Sequence, residues 1–289
     1  MGRLIVNADD FGLTPGVNRA IIELHAAGLV TSTSLMARAG ATEEAIELAC
    51  ATPSLGVGCH VVLIDGEPVL PPEQIPSLVD GKTGQFSQSL KGFLLRLFTD
   101  RIRAQEIEAE TVAQIAHLQR RGVRLTHIDT HKHTHIFPSV LRPVLRAARA
   151  CGIRVIRNPF EPGWAVRATH GAPWLRLAQV TAVRWLEPLC RRIIAEEGFV
   201  TSDGTIAVAG TGSLDAATLR SLLAQLPTGT WELVTHPGYN DADLGRVRTR
   251  LRASRDLERV ALAAIPGAPG IELISFADIA PNAQQAADD

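Results

Sequence analysis

Two rhythms of apolar residues alternate along the chain. Short β-branched or apolar runs stand between longer stretches in which apolar side chains return every three or four positions. Residues 4–6 read as a buried strand entering the polar cluster Asn7-Ala-Asp-Asp10. Residues 16–27 read as a helix with Val17, Ala20, Ile21 and Leu24 on one face and Gly28 as its stop. The pattern then predicts strand 30–36, helix 42–51, strand 55–63, helix 102–120, strand 123–130, helix 138–150 and strand 153–157. Strand 205–209, helix 214–225, strand 231–235, helix 243–264 and strand 271–274 complete it. Such alternation implies parallel strands joined by crossover helices. About seven or eight such units suit a TIM-barrel-like (β/α) barrel, complete or distorted, better than an open doubly wound sheet. No GxGxxG or GxxxxGK[ST] follows the first strand, which weakens a nucleotide-binding reading.

Two stretches break the rhythm of this single domain, which spans 1–280. Residues 64–100 carry Pro68, Pro71, Pro72 and Pro76, then Gly81 and Gly84, and read as an excursion from one end of a strand. Residues 158–204 read as irregular and hold Trp164, Trp174 and Trp185. From Arg157 to Arg192 six arginines face two glutamates. A basic, aromatic segment suits a membrane interface or a lipid-sugar cleft. The alternative is a flap packed over the barrel mouth with its arginines reaching solvent. The polar residues 281–289 read as a disordered tail.

Composition narrows the class. Hydrophobic residues make up 46% and charged residues 20% of the 289, which is the profile of a globular protein with a full core. The formal net charge of -1 gives no global field to recruit nucleic acid, so none is expected as a partner. No basic leader with a long apolar stretch opens the chain, and no apolar run approaches the roughly 18 residues that span a bilayer. Cys50, Cys59, Cys151 and Cys190 are scattered without a CxxC pair, which favours reduced thiols. The expectation is a cytoplasmic enzyme, with the inner face of the membrane within reach through 158–204. A homodimer is compatible with all of this.

The candidate chemistry sits where strands end. In Asn7-Ala-Asp-Asp-Phe-Gly12, two adjacent carboxylates close an apolar strand. Unpaired and buried they would repel; a cation can hold one while the other works as a base. A helix N-cap is the plainer reading of Asp9 and Asp10. In Thr126-His-Ile-Asp-Thr-His-Lys-His-Thr-His135, strand alternation puts His127, Asp129 and His131 on one face. Pro138 is placed to start a helix, so strand, loop and helix follow in that order. One or two of these histidines are candidate ligands, and a solvated polar loop is the alternative. His60 lies inside a strand and His236 precedes the Pro-Gly turn of Trp231-Glu-Leu-Val-Thr-His-Pro-Gly-Tyr239. A lone strand histidine is more often packed core than ligand. Their recurrence at the ends of the first, third, fourth and seventh strands is what joins them into one site. Cys59 points to the opposite face from His60.

Assembled in this order, the motifs resemble the YdjC-like carbohydrate deacetylases, distant relatives of the NodB-type polysaccharide deacetylases. The matching elements are Asn7–Gly12, Val30-Thr-Ser-Thr33, Gly58-Cys-His60, Thr126–His131 with the histidines after it, and Thr235–Tyr239. The resemblance implies a TIM-barrel-like domain and one divalent metal ion held by Asp10, His60 and His131. It matches Asp9 to the general base and His236 to the general acid of amide hydrolysis. Asp129 would orient a histidine, and His127, His133, His135 and Tyr239 would line the wall or meet substrate. Two imidazoles and a carboxylate suit zinc, although the family is often described with magnesium. Arg157-Asn-Pro-Phe-Glu-Pro162, the tryptophan-rich stretch and His236–Asp241 resemble a narrower branch, the hopanoid-biosynthesis-associated deacetylases. That branch implies an N-acetylglucosaminyl headgroup on a bacteriohopanepolyol lipid; the wider family implies an N-acetylated oligosaccharide such as a chitin disaccharide. A metal-dependent phosphoesterase or other hydrolase, and a non-catalytic sugar- or lipid-binding relative, are the remaining classes.

Overall fold

In a computed structural model, which describes residues 1–264 and 270–280, the alternation takes shape as follows. The first half holds β1 (Gly2–Phe11), α1 (Pro15–Ala26), β2 (Ser32–Leu35), α2 (Thr42–Ala51), β3 (Gly56–Val61), α3 (Leu90–Phe98), α4 (Ala104–Arg120), β4 (Leu125–Thr130) and α5 (Pro138–Ala150). The second holds α6 (Gly163–Ala168), α7 (Trp174–Val183), α8 (Glu187–Glu196), β5 (Gly204–Ile206), α9 (Ala216–Ala224), β6 (Gly229–Thr235), α10 (Ala242–Arg246), α11 (Arg252–Ala263) and β7 (Ile271–Ile274). The tail expected over 281–289 lies outside the described residues.

β1 is buried at every position except Arg3, so it needs neighbours on both edges. One edge takes β6 along Gly2–Ala8; the other takes β7 at Gly2–Ile5 and β2 from Asn7 onward. The sheet runs β4-β3-β2-β1-β6-β5, all pairs parallel, and curls into a half-barrel with helices outside. Among the described residues no helix is long and apolar enough to cross a membrane. All four cysteines are free.

Four expectations need correction. Residues 153–157 make no strand of their own; they touch β4 and residue 200 through the single bridges Ile128–Ile156 and Val155–Val200. Of the two forms expected, complete or distorted, the barrel is the distorted one, a half-barrel. The strand expected over 205–209 stops at Ile206, because Ala207 turns to φ 70 and the buried Glu161 carboxylate takes the Ala207 and Ala209 amides at 2.8 and 2.6 Å. The helix expected over 243–264 is two, since Val247 is extended and Arg252 caps the end of α10 by donating to the Val247 carbonyl at 3.1 Å. Finally, 158–204 is helical over α6, α7 and α8. Each of these begins beside a proline (Pro162, Pro173, Pro188), a residue suited to helix starts.

The excursion over 64–100 is held from beneath. α4 turns Glu106, Glu110 and Gln114 inward, and Glu110 accepts the Val69 and Leu70 amides at 2.8 and 3.0 Å. Gln114 receives the Val62 amide and donates back to its carbonyl.

Glycines in β3 make room for a histidine. The ring of His127 stacks on Phe276 at 4.0 Å, and a Cβ added at Gly58 would lie 2.4 Å from His127 Nε2. Burial pushes the His127 pKa down to about 3, so it fills this space as a neutral ring. Gly58→Ala is expected to lower the unfolding free energy by about 1–3 kcal/mol through overpacking, measured by urea denaturation.

Candidate active site

Seven elements each send a polar side chain into the concave interior of the half-barrel. Asn7 and Asp9 come from β1, Ser34 from β2, His60 from β3 and Asp129 from β4; Arg157 follows the bridge segment, Thr205 lies in β5 and Glu232 in β6. Apolar strands expose such groups to no water, so each must find a partner inside. They find one another. Asn7 donates to Asp9 at 2.9 Å and to Ser34 at 3.0 Å, and Ser34 donates to Asp129 at 2.9 Å. Arg157, 0% exposed, forks onto Asp9 at 2.9 and 2.6 Å, Asp129 at 2.5 Å and Glu232 at 2.6 Å. Thr205 donates to Glu232 at 3.0 Å.

Asp9 and Asp10 lie side by side in sequence yet both face inward, against the alternation of a strand. The reason is local: Asp10 sits at φ 67, and the β1–β2 register shifts between Ala8 and Phe11. Aspartate tolerates that left-handed conformation better than most residues. Asp10 Oδ1 then faces His60 Nε2 at 3.5 Å and His131 Nδ1 at 3.3 Å, and the two ring nitrogens are 3.2 Å apart. His131 opens a tight turn, His131–Ile136, in which Lys132 and His133 are left-handed. Asp10 Oδ2 is held by Arg255 of α11.

This trio suits a cation. Asp10 Oδ1 is buried with no hydrogen-bond partner, and its ligand atoms and those of His60 and His131 lie within 4.8 Å of one another. Asp129 accepts from His60 Nδ1 at 2.9 Å, leaving Nε2 to face the trio. Asp9, His60 and Asp129 are close enough to form a second such group. There, however, Arg157 already supplies the positive charge. Five buried carboxylates (Asp9, Asp10, Asp129, Glu232, Glu258) share two buried guanidiniums, Arg157 and Arg255, and the imidazoles of His60, His131 and His236.

The ionisation states follow from these neighbours. Burial works to raise the Asp10 pKa, but Arg255, His131 and His60 hold it well below the ordinary carboxylate value. Burial likewise opposes charge on His60, and the Asp129 carboxylate overrides it, lifting His60 to about 9. Asp129 itself is depressed, burial being outweighed by Arg157 and His60. His236 directly follows β6, with Nε2 3.8 Å from Asp9 Oδ2. Its amide donates to Glu258 at 2.6 Å, and that carboxylate lies 3.8 Å from Nδ1. Burial lowers the His236 pKa, but Glu258 and Asp9 more than reverse it.

The five residues expected to form the site, Asp9, Asp10, His60, His131 and His236, are thus brought together, with Asp129 behind His60. The others are engaged differently. His127 is packed core. His135 is locked between the Thr130 hydroxyl at 2.7 Å and the Arg157 carbonyl at 3.3 Å. His133 lies with its ring 6.4 Å from that of His135. Tyr239 gives its hydroxyl to Glu23 at 2.5 Å and sits between Arg19 and Arg259.

The sequence matches the family described as YdjC-like protein over residues 3–264. The chain belongs to the YdjC-like family. A relative from Thermoanaerobacter pseudethanolicus, named carbohydrate deacetylase, is 32% identical over 259 residues, 90% of each chain. A human protein of the same name is 31% identical over 249 residues, 82% of this chain and 75% of its own. A third, from Brevibacillus brevis, is 43% identical over 158 residues, 55% of this chain and 60% of its own length. The fold resembles a crystal structure from Enterococcus faecalis V583 that its name assigns, provisionally, to cellobiose-phosphate cleavage. That likeness has a TM-score of 0.77 and 27% identity over 97% of this chain and 99% of the other. A lactam utilization protein from Thermus thermophilus shares the fold at TM-score 0.51 and 16% identity over 95% of this chain.

The YdjC-like motifs did not single out Arg255, Glu232 or Glu258 as site residues, and Arg157 entered them only as part of a likeness. The signal was present. Glu232 interrupts an apolar strand, and Arg255 and Glu258 lie three apart on the buried side of α11, with Ala261 and Leu262. Charges at core positions rarely stand unpaired.

Three carboxylates on one guanidinium leave an excess of negative charge that one of them relieves by taking a proton. Burial pushes Glu232 from 4.5 to about 7, Arg157 only partly opposing it. A carboxyl raised in the folded state contributes stability below its unfolded pKa that is lost as pH rises through the folded one. Glu232→Gln is therefore expected to flatten the loss of stability between pH 4.5 and about 7, followed by chemical denaturation of the metal-free protein.

Proposed function

We propose that this chain is a carbohydrate deacetylase, a hydrolase that cleaves the C–N amide bond of an N-acetylglucosaminyl group. The observation that carries the reading is Asp10 Oδ1, buried without a partner and facing His60 and His131, with Asp9 and His236 3.8 Å apart beside it. The names of the Thermoanaerobacter and human relatives support it. A divalent cation held by Asp10, His60 and His131 would polarise the acetyl carbonyl and acidify a water, and the nitrogen-rich set favours zinc over magnesium.

The chain's own residues divide the proton transfers. Asp9, oriented by the Arg157 fork, accepts the proton of the attacking water. His236, whose proton is held by Glu258 and Asp9, gives one to the departing amine nitrogen. The water oxygen joins the acetyl carbon, the C–N bond breaks, and acetate and a free amine leave. Asp129 fixes His60 in the tautomer that offers Nε2. With Arg157 filling the second acidic group, Asp10, His60 and His131 would hold a single cation, which argues against a two-metal phosphoesterase.

The finer acceptor is a hopanoid lipid carrying that sugar. Within the motifs that suggest it, Arg157 and Glu161 serve the site network and the 207–209 turn. Support for a lipid comes instead from the exposed tryptophans of 158–204. The competing acceptor is a free chitin-type disaccharide. Measured acetate release should be faster from hopanoid-linked N-acetylglucosamine than from the disaccharide, and a chelator should stop both. Asp9→Asn is expected to keep bound metal and lose roughly 10²–10⁴ in rate, whereas His60→Ala should lose the metal, read by elemental analysis. Full activity in Asp9→Asn would remove it as the base; release of phosphate in place of acetate would overturn the class.

A further inference from the structure

Two dispositions of 158–204 are open from sequence, a flap over the mouth or a face turned outward, and its helices divide the tryptophans between them. Trp164 turns inward, its ring edge-on to Trp231 at 5.5 Å. Trp174 and Trp185 do not: they are 74% and 86% exposed, and Leu175 is 55% exposed. Along α7, Trp174, Ala178 and Ala182 recur every fourth residue, all exposed, and Trp185 follows just beyond. The inner side of the same helix packs Leu177 and Val180 against Val208, Ala209 and Val234. Arg176 fastens it by donating to the Val208 carbonyl at 3.0 Å. Val234 lies two residues before His236 on β6, so the apolar row stands beside the end of the sheet that carries the site.

Charge says what covers the row. Between Glu161 and Glu187 the chain, of net charge -1 overall, carries Arg167, Arg176 and Arg184 and no carboxylate. Arg176 turns inward to the Val208 carbonyl and Arg184 lies 3.9 Å from Glu187, while Arg167 is exposed. A second copy meeting the row about a two-fold axis would set these cations against themselves. An anionic bilayer offers the opposite sign, and indole rings favour its headgroup region. We propose that the outer face of α7, anchored by Trp174 and Trp185, docks on an anionic lipid surface. The docking holds independently of the deacetylase reading, because binding to vesicles is measured without catalysis.

The test sediments the full chain with phosphatidylcholine vesicles containing phosphatidylglycerol, and with phosphatidylcholine alone. The protein is expected to pellet with the anionic vesicles, less with the neutral ones, and to be released by salt. The double variant Trp174→Ala, Trp185→Ala should bind roughly tenfold more weakly, and Arg167→Glu should weaken binding further as salt does. On a soluble acetylated disaccharide the double variant should keep the wild-type rate. Wild-type protein that stays in the supernatant with anionic vesicles overturns the proposal. So does a double variant that binds like wild type, or a wild-type dimer in sedimentation velocity that the double variant dissolves, which would assign the row to a second copy.

Discussion

A single buried guanidinium fixes the relation between the strands. Arg157 has no access to water, and removing its charge from solvent costs several kcal/mol. That cost is offset only because Asp9, Asp129 and Glu232 converge on it from β1, β4 and β6. These strands are not all neighbours: β4 and β6 stand on opposite sides of β1 in the sheet order. One cation therefore ties the two flanks of the curl together across its hollow. It also sets what each carboxylate can do, since Asp9 is held at its fork and Asp129, engaged through Oδ2, keeps Oδ1 for His60.

The second tie comes from outside the sheet. α11 sends Arg255 to Asp10 and Glu258 to the His236 amide, and the Arg255 carbonyl receives the Gly238 amide at 3.1 Å. The helix that closes the sequence of crossovers thus positions both the Asp10 carboxylate and His236. Several buried polar atoms without hydrogen-bond partners belong to these residues: Asp10 Oδ1, His236 Nδ1, Arg255 Nε and Nη1, and Glu258 Oε1.

Much of this was legible in the sequence, for physical reasons. Alternating periodicities marked β1 through β4 and their helices because each apolar face repeats long enough to be read. The strand-end positions of Asp9, His60, His131 and His236 followed from the same reading. What escaped was set by single long-range bonds. The break at Ala207 depends on Glu161, whose carboxylate is brought there by folding, and the split between α10 and α11 depends on the reach of Arg252. Helices in 158–204 were hidden because prolines that start helices also look like loop residues. Arg255 and Glu258 were hidden by proximity to exposed charges on the same helix; only a three-residue spacing on the buried side marks them out. The periodicity put Arg157 at the end of a strand over 153–157, where the structure has only isolated bridges, and it gave no sign of the three carboxylates that meet at that guanidinium.

The left-handed backbone at Asp10 narrows the alphabet open to that position. A side chain there must carry the negative charge that meets Arg255, His60 and His131 and must tolerate φ 67, and such strain costs about 1–2 kcal/mol for most residues. Asparagine and glycine would accept the geometry and lose the charge. Glutamate would keep the charge, but it lacks the short side chain that eases this conformation and would displace its carboxylate by one methylene from the imidazoles it must face. Aspartate alone meets both demands. Descent with modification can therefore change the acceptor, the excursions and the outer face of this enzyme while residue 10 has almost nowhere to drift.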